Sequence, residues 1–251
     1  MSQNQLLIKY ILTLESQGTR PLQEDYCLCD DEKNIFVVAD GFGGHHIGQE
    51  VAKLGCESIK KFLFKNARDS ESTFPFIMRS YFSLHGNILF NAMIYANKEM
   101  LRFNKEKTIH QSGGASLIAG YLDQNLLAIA NIGTCTSWLY RDGHKCELVI
   151  PRSYATLCNP FLYEDQEMTN VPLMALGMLE DLEPEIFEFR IMPKDWLVFA
   201  TDGVNRDFFN EIQWIQEKKI LELEAIEIIK EKFKKINFKD NASLSVIFLN
   251  E

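Results

Sequence analysis

The sequence predicts an α+β fold in which two antiparallel β-sheets pack face to face and helices cover their outer faces. Short apolar runs follow one another through tight polar links, and strands joined in this way pair antiparallel. Longer stretches with apolar residues three and four apart separate these runs and indicate amphipathic helices. The chain has 251 residues, 46% hydrophobic and 24% charged, so we expect residues 1–251 to form one domain with a sizeable core.

The first half of the chain is predicted to contain a strand, a hairpin and two helices. The polar loop between the second and third strands indicates the hairpin, and the short link between the helices makes them an antiparallel pair. The strands are predicted at 6–14, 26–29 and 35–39, and the helices at 46–65 and from residue 73 or 75 to 103.

The second half is predicted to be mainly β. Asp142-Gly143 favours a tight hairpin between two of these strands. Strands are predicted at 116–122, 126–132, 136–141, 145–150, 185–191, 196–201 and 243–249, with a helix at 220–236. Residues 151–184 show little periodicity and are predicted to be irregular.

Charge and composition exclude several classes of function. The formal net charge is -9, and no patch of Lys and Arg alternates with aromatic residues, so we expect no nucleic-acid partner. The basic run at 230–235 fits the solvated face of a helix better than a binding patch. The N-terminus lacks the features of a signal peptide and no apolar run is long enough to span a membrane, so we expect a cytoplasmic protein without a membrane partner. We also expect a monomer.

The six cysteines show no metal-binding or redox spacing. They are Cys27, Cys29, Cys56, Cys135, Cys146 and Cys158. None forms a C-x-x-C pair, so we expect free thiols in a reducing compartment and no structural zinc.

Four acidic residues stand at the edges of predicted strands. Asp40 follows the run 35–39, Asp202 follows the run 196–201, and Asp240 precedes the last strand; Glu24 precedes the second strand. Singly, each could belong to a solvated turn. Together, and with Arg20 close to Glu24, they favour a site for two hard divalent cations such as Mg²⁺ or Mn²⁺.

The glycine-rich segment after Asp40 could instead be a dinucleotide-binding loop. In that fingerprint the third glycine would fall at His46, so the pattern fails, and an acid before the first glycine would repel a pyrophosphate. Glycines next to Asp40 fit a cation site, because they let backbone carbonyls approach the ion. His45 and His46 are predicted to cap the following helix or line the turn.

The motifs resemble those of the metal-dependent Ser/Thr protein phosphatases, the type-2C or PPM family, and the bacterial members most of all. The resemblance extends from about Leu7 to Leu249. The motifs appear in the order Gly18-x-Arg20-x-x-x-Glu24-Asp25, Val37-Val-Ala-Asp-Gly-Phe-Gly-Gly-His45 with Gly48, Ala130-Asn-Ile-Gly133, Ala175-Leu-Gly177, Phe199-Ala-Thr-Asp-Gly203 and Asp240-Asn241.

The resemblance implies a four-layer α-β-β-α sandwich, with pairs of antiparallel helices outside the two sheets, and a two-metal site. Catalytic residues would be Asp40, Asp202 and Asp240. Asp40 would bridge two Mg²⁺ or Mn²⁺ ions, one of them also bound by the Gly41 carbonyl, and the other two aspartates would hold the second ion. Glu24 would support the metals and Arg20 would bind the phosphate of the substrate.

The resemblance also implies a reaction and a partner. A hydroxide bridging the ions would attack the phosphorus of phosphoserine or phosphothreonine in a protein, without a protein nucleophile, and the substrate would be the product of a Ser/Thr kinase.

Two departures from the family pattern affect this reading. Gly133-Thr134-Cys135 replaces the usual Gly-Asp-Ser, so the acid that helps to hold a third metal is missing. Residues 151–184 would form the flap beside the site, but the usual Asp-His-Ser is missing there. Two alternatives therefore stay open: a weak or inactive phosphatase-like binding domain, and a phosphodiester hydrolase that removes nucleotidyl groups from proteins.

Overall fold

The structure, a computed structural model, describes residues 8–44, 46–66, 78–158 and 171–250, and in this part it confirms the α+β fold with two antiparallel sheets. The strands are β1 (Ile8–Ser16), β2 (Asp25–Asp30), β3 (Ile35–Gly43), β4 (Gly113–Asp123), β5 (Leu126–Ile132), β6 (Thr136–Arg141), β7 (His144–Val149), β8 (Glu185–Arg190), β9 (Trp196–Ala200) and β10 (Ala242–Leu249). The helices are α1 (Gly48–Asn66), α2 (Leu84–Asn104), α3 (Tyr154–Cys158), α4 (Arg206–Glu217) and α5 (Glu222–Lys235), with a 3₁₀ turn at Ile109–Gln111.

The two sheets and four of the helices form the layers of a sandwich. One sheet has the strand order β1-β10-β9-β6-β7 and the other has the order β2-β3-β4-β5-β8. Helices α1 and α2 pack on the second sheet, and helices α4 and α5 pack on the first. A third apolar cluster fills the space between the sheets. The chain therefore has the α-β-β-α arrangement that the resemblance implies.

Alternation along β3 shows how one strand serves two apolar layers. Val37 and Ala39 pack toward α1 and α2, whereas Phe36 and Val38 pack between the sheets. In the middle layer the ring of Phe36 stacks on that of Phe199 from the opposite sheet, with 5.7 Å between ring centroids. Because side chains alternate along a strand, residue 40 belongs to the same face as Phe36 and Val38.

The prediction for the second helix is wrong at its start. Helix α2 begins at Leu84, and residues 78–83 are not helical; the predicted start at 73 or 75 lies outside the described residues. The Ser83 side chain caps the helix by accepting a hydrogen bond from the Gly86 amide at 3.1 Å. The Asn87 amide group donates to the carbonyls of residues 79, 82 and 83, which fixes the non-helical approach. These local bonds outweigh the apolar spacing before residue 84.

Helix α4 is not among the predicted helices, although its sequence has an N-capping residue and apolar residues at helical spacing. The Asn205 side chain caps it by accepting from the Phe208 amide at 3.1 Å. Phe208, Ile212 and Ile215 are buried against the sheet at helical spacing. With α5 this helix completes the layer over the first sheet, so both outer layers contain two long helices.

All six cysteines carry free thiols, as their spacing predicted. Burial, more than any other effect, raises the pKa of the Cys27 and Cys29 thiols, which pack against the cluster between the sheets. No helix in the described ranges is long and apolar enough to cross a membrane.

Candidate metal centre

Asp40 lies within β3 and not after its end, which corrects the sequence reading. The strand continues through Gly41, Phe42 and Gly43, because these residues pair with residues 113–115 of β4. Asp40 itself pairs with Ser116 on one side and with Asp25 on the other. Its carboxylate is therefore on the face between the two sheets, near one end of the sandwich.

Asp25 is the partner of Asp40 across the β2–β3 pair, and it is buried. Only 2% of its surface is exposed. Its Oδ2 accepts a hydrogen bond from the Thr201 hydroxyl at 2.9 Å, while its Oδ1 has no hydrogen-bond partner. Burial is the main reason that its pKa is raised to about 7, and the charge of Asp202 raises it further. A buried carboxylate is costly unless a nearby positive charge or hydrogen bonds compensate it.

The pKa of the Asp40 carboxyl is also raised, and the charges that raise it show which acids lie near it. Burial raises its pKa well above the ordinary value, followed by the charges of Asp202, Asp25 and Asp240. Asp202 follows β9 and Asp240 precedes β10, and these two strands are neighbours in the opposite sheet. The fold thus brings acids from both sheets into electrostatic range of one another, among them Asp40, Asp202 and Asp240.

Arg20 borders this acidic cluster and is paired with one of its members. Its Nη2 donates to Oδ2 of Asp240 at 2.6 Å. That hydrogen bond is the main reason that the pKa of Arg20 is raised; the charges of Asp40 and Glu24 act in the same direction. The predicted phosphate ligand therefore lies beside the predicted metal ligands.

Glu24 lies where β2 and β3 meet the start of α1. Its carbonyl accepts a hydrogen bond from the Gly41 amide at 3.1 Å. A Cβ placed on Gly48 would lie 2.3 Å from Oε1 of Glu24, and a Cβ on Gly41 would lie 1.9 Å from the Gly48 carbonyl oxygen. The glycines are thus required so that β3, Glu24 and the first turn of α1 can approach one another.

A pair of hard cations fits these residues. The donors are carboxylates and carbonyls, the ligands that Mg²⁺ and Mn²⁺ prefer. Within the described ranges, no three His, Cys, Asp or Glu side chains are already arranged as a metal-binding group. The unpartnered Oδ1 of Asp25 and the mutual repulsion at Asp40 nevertheless mark a site that lacks positive charge. Binding a cation would relieve both.

Thr134 stands at the position where the resemblance predicts an acid for a third ion. It is buried, and its hydroxyl donates to the Ser116 hydroxyl at 3.1 Å. The neighbouring Gly133 carbonyl accepts a hydrogen bond from the Arg152 amide at 3.0 Å, at the start of the predicted flap. The Arg152 side chain pairs with Glu185 at 3.3 Å.

The predicted flap, 151–184, is described only at its two ends. Residues 151–158 contain the short helix α3, and Ser153 bridges to Pro172 across the undescribed residues 159–170. His45 also lies outside the described residues. His46 has a φ of 66° and is exposed in the turn before α1.

Two functional candidates were missed from the sequence, Asp25 and Asn241. Asp25 appears in the first motif without an assigned role, although it shares strand parity with Cys27 and Cys29, which face the other sheet. The Asn241 side chain accepts from the Glu24 amide at 2.8 Å and donates to the carbonyls of Gln17 and Leu22 at 2.9 and 2.8 Å. No local signal in the sequence reveals these long-range bonds.

Comparisons with known proteins bear on the sequence and the fold of the chain. No family model matches the chain. The Ser/Thr phosphatase stp of Listeria monocytogenes serotype 4b is 22% identical over 196 residues, which cover 69% of this chain and 68% of that protein. The Ser/Thr phosphatase PstP/Ppp of Mycobacterium tuberculosis superimposes with a TM-score of 0.78 at 18% identity, covering 98% of this chain and 100% of that one.

A second solved structure, the catalytic domain of PstP in complex with two manganese ions, gives a TM-score of 0.76 at 18% identity, with 98% and 100% coverage. The agreement covers both sheets and both helical layers, since almost every residue of each chain is aligned. The chain therefore has the fold of the bacterial PPM-type Ser/Thr phosphatases, and the resemblance predicted from its motifs is confirmed.

Proposed function

We propose that this chain is a metal-dependent phosphatase that hydrolyses phosphoserine and phosphothreonine in proteins. The observation that carries the proposal is the convergence of Asp25, Asp40, Asp202 and Asp240 from two sheets, with Arg20 at the edge of the cluster. A binding domain gains nothing from concentrating acids that repel one another. The similar phosphatases, one of them with two manganese ions, support the same reading.

The residues of the cluster have distinct roles in this proposal. Asp40 would contact both cations, with the Gly41 carbonyl on one of them, and Asp202 and Asp240 on the other. Glu24 would support the site from the start of α1. Once bound, the cations would lower the pKa of a water molecule and offset charge on the phosphoryl group. We propose Mn²⁺ or Mg²⁺, because oxygen ligands accept both.

The remaining chemistry is performed by groups of the chain itself. Arg20 can donate to phosphate oxygens from the solvent-facing edge of the cluster, and its planar guanidinium suits two oxygens at once. Asp25 can accept a hydrogen bond from water through its unpartnered Oδ1. Thr201 is fully buried beneath Asp25, so its hydroxyl is not placed to reach a substrate as a nucleophile.

A catalytically weak phosphatase-like domain is the second candidate, and Thr134 is the observation that favours it. Its hydroxyl is buried against Ser116 and offers no negative charge for a third ion. We therefore propose a two-ion site and a lower rate than a site with an acid at this position would give. A phosphoprotein substrate, a cytoplasmic location and a monomeric state belong to the same proposal.

Hydrolysis of a phosphothreonine peptide tests the proposal. We expect turnover with Mn²⁺, none with a chelator, and loss of nearly all turnover in Asp202→Asn, because an amide cannot supply the anionic ligand. Asp207→Asn, an exposed acid in the first turn of α4, is the matched control and should leave turnover unchanged. Absence of hydrolysis at saturating Mn²⁺, or full activity in Asp202→Asn, would contradict the proposal.

A further inference from the structure

Arg20 and Asp240 are paired with each other, although the proposed function needs Arg20 for the substrate phosphate and Asp240 for a cation. Their side chains form an ion pair with 2.6 Å between Nη2 and Oδ2. The second oxygen of Asp240 accepts a hydrogen bond from the Asn241 amide at 2.8 Å, so both oxygens are engaged. The proposed function assigns Arg20 to the substrate phosphate and Asp240 to a cation. While they are paired, Nη2 of Arg20 and Oδ2 of Asp240 are engaged with each other and not with phosphate or a cation.

The backbone around the pair holds these two residues together. The Thr19 amide donates to the Phe238 carbonyl at 3.1 Å, and the Thr19 hydroxyl donates to the Lys239 carbonyl at 2.7 Å. A Cβ on Gly18, which has a φ of 62°, would lie 2.2 Å from the Asp240 carbonyl oxygen. The segment before Arg20 therefore lies directly against the segment before Asp240.

Asn241 fixes the same segment from inside. Its side chain is 6% exposed and bonds to the backbone of residues on both sides of Arg20, namely Gln17, Leu22 and Glu24. These bonds involve backbone atoms and a buried amide, so they do not depend on the freely rotating ends of surface side chains. The backbone therefore holds Arg20 next to Asp240, within reach of the ion pair that their side chains form.

We propose that this ion pair is a cation-released lock: Asp240 retains Arg20 until a divalent cation binds Asp240, and Arg20 then becomes free to bind phosphate. The proposal rests on the proposed function, because it needs the cation site and the phosphate ligand. A divalent ion carries twice the charge of the guanidinium and is attracted by the other acids of the cluster, so it can displace Arg20. Cation binding then favours phosphate binding in two ways, through contact between the phosphate and the ion and through the release of Arg20.

Thermodynamic linkage between the ion pair and the two ligands gives the direction of the expected changes in affinity. If Arg20 competes with the cation for Asp240, then removing Arg20 strengthens cation binding, and removing Asp240 strengthens phosphate binding to the metal-free protein. The pair is 59% and 46% exposed at its two side chains, and exposed pairs are weak. We therefore expect changes of about two- to fivefold in affinity.

The first measurement is calorimetric titration of Mn²⁺ into the wild type, Arg20→Gln and Lys239→Gln. Lys239 is the matched control: it precedes Asp240 and is exposed, and it makes no ion pair with an acid that the structure describes. We expect Arg20→Gln to bind one Mn²⁺ about two- to fivefold more tightly than Lys239→Gln does. Equal affinities in the two variants would overturn the lock, even if every protein bound two ions.

The second measurement is titration of inorganic phosphate, in the presence of a chelator, into the wild type, Asp240→Asn and Asp25→Asn. Both variants remove one carboxylate from the cluster, but only Asp240 is the partner of Arg20. We expect phosphate to bind Asp240→Asn at least about twofold more tightly than Asp25→Asn. The opposite order, or no difference, would overturn the lock. Absence of Mn²⁺ uptake by every protein would remove the proposed function together with the lock.

Discussion

Replacement of Asp25 by Asn should stabilise the metal-free protein above neutral pH. The Asp25 carboxylate is buried opposite Asp40, and one of its oxygens has no hydrogen-bond partner. Asn keeps an oxygen for the Thr201 hydroxyl and adds an amide group that can donate toward Asp40. The substitution therefore removes one of two repelling charges while keeping the size of the side chain.

The magnitude and the sign follow from the pKa of Asp25. Burial raises this pKa from 3.8 to about 7, so the folded protein holds the proton more tightly than the unfolded chain does. Tighter proton binding by Asp25 stabilises the folded protein fully below pH 3.8, and this stabilisation is lost as pH rises through about 7. A difference of about 3 pKa units corresponds to an upper value of about 4 kcal/mol. Because Asp25 shares its surroundings with Asp40, we expect a gain of about 2–4 kcal/mol at pH 8 for Asp25→Asn, and a much smaller gain at pH 4.5.

Urea denaturation followed by circular dichroism, in the presence of a chelator at pH 4.5 and pH 8, measures the difference. Glu106→Gln, which removes an exposed acid in the turn after α2, controls for the change in net charge and should shift stability by less than about 0.5 kcal/mol. The reasoning is refuted if Asp25→Asn is no more stable than the wild type at pH 8, or if its gain is the same at both pH values.

Two further substitutions test how the site is supported. Gly41→Ala should lower the unfolding free energy by about 1–3 kcal/mol, because its Cβ would meet the Gly48 carbonyl; an unchanged urea midpoint would contradict the close approach of β3 to α1. Asn241→Asp cannot donate to the Gln17 and Leu22 carbonyls, so unfolding free energy should fall by about 2–4 kcal/mol. In the same variant the phosphopeptide KM should rise more than kcat falls, because the segment carrying the phosphate ligand loses its anchor; steady-state kinetics showing the reverse would contradict this role.

Much of the fold could be predicted from the sequence because its strands carry strong local signals. The strands 126–132 and 136–141 are observed with the predicted bounds, and the Asp142-Gly143 hairpin forms with φ values of 52° and 79°. Positive φ at both positions is what this dipeptide favours. Periodicity failed where side-chain bonds decide the boundary, as Ser83 does for α2.

The extent of β3 was missed for a different reason. Glycine is usually a poor strand residue, so the segment after Asp40 was read as a turn. In the structure Gly41, Phe42 and Gly43 stay in the ladder, because β4 supplies the small residues Ala115, Gly114 and Gly113 opposite them and the backbones approach closely. This strand pairing joins two glycine-rich segments about 70 residues apart, so it cannot be predicted from local sequence.

The sequence points to the residues of the candidate site, but it does not show which of them contact one another. The structure places Asp40 within β3, Asp202 after β9 and Asp240 before β10, within electrostatic range of one another, and their assignment as site residues stays a prediction. The pairing of Asp25 with Asp40 depends on the β2–β3 register, and the pairing of Arg20 with Asp240 depends on a loop held by distant backbone groups. The assigned roles of these residues remain predictions.

The most direct test of the central claim is a crystal structure of the protein with Mn²⁺, with the ions located by anomalous scattering. We expect two manganese peaks next to Asp40, one contacting the Gly41 carbonyl and the other contacting Asp202 and Asp240. A crystal grown in millimolar Mn²⁺ with no anomalous peak among these residues, or with the three carboxylates directed away from one another, would contradict the claim that the fold gathers them to hold a pair of cations.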